Sequence, residues 1–347
     1  MFGGHMTLQI SLVHQFDQQQ ADTWDMHFSF DGQRLISSDG KALYLWRLNE
    51  DGSWDYERSL LFRHAAFPCF SPMGDLIAFR DEDKNVRLIS VANGDAVAIL
   101  DNSAATDCAF SPDQRWLITG DTTRNLVLWD LLTYQCSIIP VRFSRFRDDP
   151  WEDEAALANE TIGSFQFTPD GQRLVFLASS AEGDLHLCYI DPVQKSLVRQ
   201  KTFPHGSMDL AISSNGKMLA TIVSNQQMYS YKEEIYVYDL ESLRLLHVFP
   251  QTTDERYGLL AFLPDSTRLA SCKTDGIVEI FSLASFECIA HFAAHPGLSS
   301  HASDPIGGLD WSRTGYIATG GASVFEKDMK KTDFTIKLWK VEDEERQ

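Results

Sequence analysis

Apolar residues in this chain fall in short runs that alternate with polar ones and are cut by Pro, Asp, Gly and Asn. A period of two, rich in β-branched and aromatic side chains, predicts strands joined by tight turns. One phrase recurs: an aromatic or aliphatic residue, Ser or a similar residue, a Pro/Asp/Gly turn, then a β-rich run. It reads FSFDGQRLIS from Phe28, FSPMGDLIAF from Phe70, FSPDQRWLIT from Phe110 and FTPDGQRLVF from Phe167. It continues as ISSNGKMLAT from Ile212, FLPDSTRLAS from Phe262 and WSRTGYIAT from Trp311. The first residues of these seven copies stand 42, 40, 57, 45, 50 and 49 residues apart. A second alternating phrase follows each copy: ALYLWRL (42–48), NVRLISV (85–91), NLVLWDL (125–131), DLHLCYI (184–190), EIYVYDL (234–240), IVEIFSL (277–283) and TIKLWKV (335–341). Further β-rich segments, LRLLHVF (243–249) and ECIAHFA (287–293), lie between copies. No long helical period is present, and the one short helix expected is the acidic EDEAALANE at 152–160.

These paired phrases resemble the WD-repeat β-propeller family, best in the third copy, FSPDQRWLITG…NLVLWDL, and the seventh, WSRTGYIATGG…TIKLWKV. The resemblance runs from about Leu8 to Val341. It implies an all-β fold, a seven-bladed β-propeller of four-stranded antiparallel blades occupying residues 8–341. Two of the spacings stand near the repeat of about 40–45 residues for such a blade, and the longer ones imply loop insertions. Residues 1–7 are expected to be a flexible leader, with Met6 an alternative start and Gly3–Met6 a cloning scar, and 342–347 an acidic tail. The seventh copy lacks an outer strand of its own. LQISLVHQF (8–16) is expected to supply it by pairing with TIKLWKV (335–341), which leaves no free radial edge; an unpaired leading segment is the alternative.

In such blades the first-to-second and third-to-fourth turns share one end, and the second-to-third turns and inter-blade connections share the other. The long insertions at 144–161, 224–232, 294–305 and 322–333 all fall at that second end. Binding residues concentrate on loops held by a rigid scaffold, so this end is the expected recognition surface; neutral decoration is the alternative, because long loops cost little extra entropy. Candidate partner-binding residues are Arg145, Phe146, Arg147, Trp151, Tyr229, Tyr231 and Phe325, aromatic and Arg side chains being enriched among interface anchors. Self-pairing of the arginines with Asp148, Asp149 or Glu152 competes with that role. The MKK run at 329–331 reads as a solvated loop. Trp24, Phe67, Met208 and Tyr257 stand near the starts of innermost strands, where core packing is the stronger reading.

The family joins Asp, His, Ser/Thr and Trp by hydrogen bonds within a blade. Asp333, Thr319 and Trp339 match that pattern in copy seven, with His301 the nearest histidine. Asp83 and Asp275 keep the Asp position in copies two and six, but Ile89 and Phe281 replace the Trp. Copy three keeps Trp129 and Thr119 but has Thr123 in place of the Asp. Apolar packing between blades is therefore expected to supply most of the stability.

Composition narrows the function. The chain has 347 residues and a formal net charge of −19, which argues against wrapping nucleic acid or docking on anionic lipid. No apolar run reaches the length of a membrane span, and no signal peptide is visible. Cys69, Cys108, Cys136, Cys188, Cys272 and Cys288 are widely spaced, as expected of thiols in a reducing cytoplasm. No H-E-x-x-H, G-x-S-x-G or P-loop motif occurs, and no histidines show metal-ligand spacing. No metal or cofactor is expected. The acidic cluster Asp148, Asp149, Glu152, Asp153 and Glu154 reads as solvated rather than Ca²⁺-binding. The expected function is a non-enzymatic protein-interaction scaffold, monomeric or a subunit of a larger complex, that binds a protein or peptide on its loop-rich face. The alternative is a lactonase-type propeller hydrolase, which would gather His, Arg and carboxylate groups at a central channel mouth.

Overall fold

The recurring phrase folds as a turn for a chemical reason. In the first copy the Ser29 hydroxyl donates to Asp31 Oδ1 at 2.6 Å and accepts the Arg34 N–H at 2.9 Å, while Asp31 also accepts the Gln33 N–H. Gly32 closes the turn at φ +69°, donating to the Ser29 carbonyl; a side chain there would be strained. The same hydroxyl and carboxylate bonds recur at Ser111/Asp113 and Thr168/Asp170, and Asn215 takes the Asp role beside Ser213. Each turn reverses the chain between two antiparallel strands.

The computed structural model describes residues 8–101, 107–121, 125–141, 161–179, 184–191, 196–203, 207–227, 230–251, 255–295, 306–322, 324–326, 329–331 and 333–343. They form seven four-stranded antiparallel sheets and one two-stranded ribbon. Sheet one runs through Asp25–Phe28, Arg34–Ser38, Leu43–Leu48 and Trp54–Leu60. Sheets two to six follow in chain order, with first strands Ala66–Phe70, Cys108–Phe110, Thr161–Phe167, Ser207–Ile212 and Tyr257–Phe262. Sheet seven takes Ile306–Trp311, Tyr316–Gly321 and Ile336–Asp343 from the C-terminal region and Leu8–Phe16 from the N-terminal region. Leu8–Phe16 runs antiparallel to Ile336–Asp343, from Leu8 opposite Asp343 to Phe16 opposite Ile336, with a bulge between Leu12 and His14.

The chain divides into two compact units, 1–68 with 209–347, and 69–208. In the first, apolar layers lie between sheets five and six, six and seven, and seven and one. Phe16 closes the last of these, its ring 5.4 Å from that of fully buried Trp46. In the second, such layers lie between sheets two and three and between three and four. Each fully buried Leu, Ile or Phe in these layers contributes roughly 1.5–3 kcal/mol.

Two expected loops are strands instead. Residues 224–227 and 230–232 extend a hairpin, Met218–Gln227 against Ser230–Asp239, paired as far as Gln227 opposite Ser230. Within 322–333, Val324–Glu326 and Met329–Lys331 form the ribbon. The hairpin continues its antiparallel ladder outward and the ribbon forms a separate two-stranded sheet, so each insertion satisfies backbone groups of its own. The acidic segment 152–160 lies outside the described residues.

Candidate functional site

The polar network of sheet seven is a chain of four side chains. Trp339 Nε1 donates to Thr319 Oγ1 at 3.0 Å, His295 Nε2 lies 3.0 Å from the same hydroxyl, and His295 Nδ1 lies 2.8 Å from Asp333 Oδ2. Lys337 Nζ and Thr335 Oγ1 also bond the Asp333 carboxylate. The histidine is therefore His295 and not His301, which lies outside the described residues. His295 follows directly on the outer strand of sheet six, Glu287–Ala293, and is anchored there by its N–H to the Gly276 carbonyl. Burial opposes ionisation of Asp333, yet hydrogen bonds from His295 and Thr335 and the charge of His295 hold its carboxyl well below the usual range. By contrast, the indole N–H groups of Trp46 and Trp129 are buried without a hydrogen-bond partner, so those sheets rest on apolar packing.

A second set of carboxylates lies on first strands. Asp107 accepts the Phe165 N–H, Asp209 the Leu260 N–H at 2.8 Å, and Asp310 the Phe28 N–H at 2.7 Å. Each contact clasps the first strand of one sheet to the first strand of the next, sheet seven reaching sheet one. Asp107 and Asp310 also accept the N–H of their own following residue. His27 lies 3.3 Å from Asp25 and 3.8 Å from Asp310. Burial pushes the Asp209 carboxyl up to about 7, and burial likewise raises Asp310. Asp310 lies deep among its neighbours but keeps 27% of its side-chain surface accessible, so water still reaches it. A His and several carboxylates thus converge, as a hydrolase would need, but Asp209 and Asp310 are spent on backbone N–H groups. Among the described residues no group of three His, Cys, Asp or Glu is placed to hold a metal ion.

A third feature lies at the end of sheet one that carries its second-to-third turn and its connection to sheet two. Trp24 is 47% exposed, and its ring lies where a Cβ on Gly40 (φ +73°) would stand, 2.6 Å away. Only glycine permits that contact. The Trp24 N–H donates to the Ser38 carbonyl and the Thr23 N–H to that of Gly321. Asp39, buried, accepts the N–H groups of Gln20, Lys41 and Ala42 and the Tyr44 hydroxyl. The connection Leu61–Ala65 folds onto this base through the His64 N–H, 2.7 Å from the Gly40 carbonyl, with His64 itself at φ +54°. Leu61 projects from it 86% exposed, and the His64 ring lies 6.4 Å from Trp24.

Of the candidate binding residues, Arg145, Phe146, Arg147, Trp151 and Tyr229 lie outside the described residues. Tyr231 lies opposite Gln226 in the extended hairpin, and Phe325 opposite Lys330 in the ribbon. Tyr257 is core, whereas Trp24 is a surface residue. Sequence reasoning missed the meeting of Trp24 with Gly40 and His64, which forms only when three chain segments come together. Two of the clasping carboxylates left a trace in the sequence, because Asp107 and Asp209 each precede the opening residue of a repeat by three, whereas Asp310 directly precedes its own.

Comparison with known proteins agrees with this architecture. Residues 96–130 match the family model of the WD domain, G-beta repeat. A WD repeat-containing protein 26 homolog of Arabidopsis thaliana is 25% identical over 115 residues, 32% of this chain and 20% of that protein. The matched part of this chain therefore spans about a fifth of that relative's length. The β-propeller domain of Myceliophteria thermophila Cps50 (Swd1) superposes with a TM-score of 0.72 at 15% identity, covering 96% of this chain and all of that one. The fold is an all-β propeller of four-stranded antiparallel blades. Within that fold, residues 96–130 are similar to a WD repeat.

Proposed function

We propose that this protein is a non-enzymatic interaction scaffold that binds a protein or peptide partner at the end of the blades carrying the second-to-third turns and inter-blade connections. We also infer that its seven sheets are blades of one ring, closed where Leu8–Phe16 pairs with Ile336–Asp343. The observation that carries the choice of end is the contrast between the two. At the first-to-second-turn end, neighbouring turns are bonded to each other: Gln114 to the Met73 N–H and the Asp75 carboxylate, the Asn215 N–H to Ser266 Oγ, and Thr314 Oγ1 to the Gly32 carbonyl. Those contacts use polar groups that a partner would otherwise meet. The opposite end carries the long insertions, the extended hairpin, the ribbon and exposed Trp24.

The test is affinity capture from the native host, with partners identified by mass spectrometry, for three forms of the full chain. A Phe146→Ala/Trp151→Ala variant is expected to lose the partner. A Phe30→Ser/Met73→Ser variant alters exposed apolar residues at the other end and is expected to keep it. The reverse pattern rejects this choice of end.

A further inference from the structure

We propose that Cys69 and Cys108 form an oxidation-sensitive dithiol, which closes to a disulfide when the protein meets a hydroperoxide and reopens with a thiol reductant. This goes beyond the scaffold reading and does not depend on it. The first argument is geometry. Cys69 lies on the first strand of sheet two and Cys108 on the first strand of sheet three, and both residues fall within one compact unit. Their sulfurs stand 3.7 Å apart, and both are thiols. A disulfide needs about 2.05 Å. Each sulfur therefore has to move by less than about 1 Å, a shift within reach of small side-chain rotations. Cys69 Sγ also lies 3.8 Å from the Cys108 carbonyl oxygen. Both side chains belong to the apolar layer between the two sheets, which packs them against each other.

The second argument is what neighbouring junctions use instead. Between sheets three and four, five and six, and seven and one, an aspartate of one first strand accepts an N–H of the next. Asp107 and Asp209 stand three residues before the opening residue of their repeats, and sheet two has Phe67 at that place. From sheet two to sheet three the sulfur pair stands at the corresponding junction. The two thiols also differ in exposure, as a sensing pair needs. Cys69 is half-buried, within reach of a small oxidant, whereas Cys108 is buried and in contact with it. The chemistry balances with hydrogen peroxide as the oxidant. The Cys69 thiolate attacks one peroxide oxygen; an S–O bond forms, the O–O bond breaks and hydroxide leaves, giving a sulfenic acid. The Cys108 sulfur then attacks the Cys69 sulfur; the S–S bond forms, the S–O bond breaks and a second hydroxide leaves. With the two thiol protons these hydroxides become two waters, and two electrons have passed from sulfur to peroxide. A thiol reductant reverses the link by exchange. The bond would bridge a separation of 39 residues and join the first strands of two sheets covalently.

The test treats the reduced full chain with hydrogen peroxide, blocks the remaining thiols with N-ethylmaleimide, and digests with trypsin in the absence of reductant for mass spectrometry. The expected product joins peptides 64–80 and 88–115, which carry Cys69 and Cys108. It weighs about 2 Da less than the same two peptides in reduced form and disappears with dithiothreitol. Cys69→Ala is expected to abolish the link and to leave the fold intact, because Cys69 is only half-buried. This variant keeps the test valid if Cys108→Ala fails to fold. Cys108→Ala is expected to leave Cys69 carrying added oxygen instead of a cross-link. The exposed Cys136 and Cys288 report the oxidant dose within the same sample. Absence of the 69–108 link at a dose that fully oxidises Cys136 and Cys288 overturns the proposal. So does an equal yield from chain unfolded in urea, since the link would then owe nothing to the folded geometry. Linkage of Cys69 to another cysteine in preference to Cys108 overturns it as well.

Discussion

His295 is the residue on which the polar interior of sheet seven turns. Its side chain is fully buried and joins a hydroxyl to a carboxylate, so removing it leaves both Thr319 and Asp333 short of a partner. His295→Ala is expected to cost about 3 kcal/mol in urea unfolding, combining lost hydrogen bonds with a cavity; a cost close to zero would show that Lys337 and Thr335 suffice for Asp333. Asp209 makes a pH-dependent prediction. Its carboxyl is raised by burial from an ordinary 3.8 to about 7, so the folded chain binds this proton more tightly than the unfolded chain. That stabilisation is complete below about pH 3.8 and is lost as pH rises through about 7. Asp209→Asn is expected to flatten stability against pH across this window, measured by urea titration at stepped pH. An unchanged slope would assign the dependence to other groups. Asp333 has the opposite sign: its contribution is present above the usual carboxylate range and is lost in strong acid.

At the scale of the element, Leu8–Phe16 is the most informative strand. Strand counting within the four-stranded blade that the resemblance implies proposed its pairing with the last repeat, because 8–16 had the pattern of an outer strand and copy seven lacked one. Phe16 is 7% exposed and packs on Trp46. Phe16→Ala is expected to lose about 3 kcal/mol, and truncation of residues 8–16 to lose more, read by thermal unfolding. A truncated chain as stable as the full one would mean that the strand is an accessory. The repeat turns were equally legible, since the Ser/Thr, Asp and Gly positions form the turn with local bonds. The ribbon and extended hairpin were not, because polar runs such as SNQQ and EKDMKK carry no alternation; one becomes strand by continuing a pair already formed and the other by folding back on itself as a separate ribbon.

For the molecule as a whole, the formal net charge of −19 sets the long-range field that an approaching partner meets. Association with a negatively charged partner is expected to speed up as salt rises from low to physiological concentration, because screening relieves repulsion by the −19 charge. Stopped-flow association rates at stepped salt would check this, and a rate that falls with salt would mean that local cations at the binding surface outweigh the net charge.

The repeat count, the strand pattern and the turn chemistry were readable from the amino-acid order because they depend on contacts between residues near one another in sequence. The choice of His295 over His301, the clasps made by Asp209 and Asp310, and the meeting of Trp24, Gly40 and His64 were decided by folding. Each joins segments far apart in the chain, and neither alternation nor spacing records which distant backbone group a carboxylate or a ring will meet.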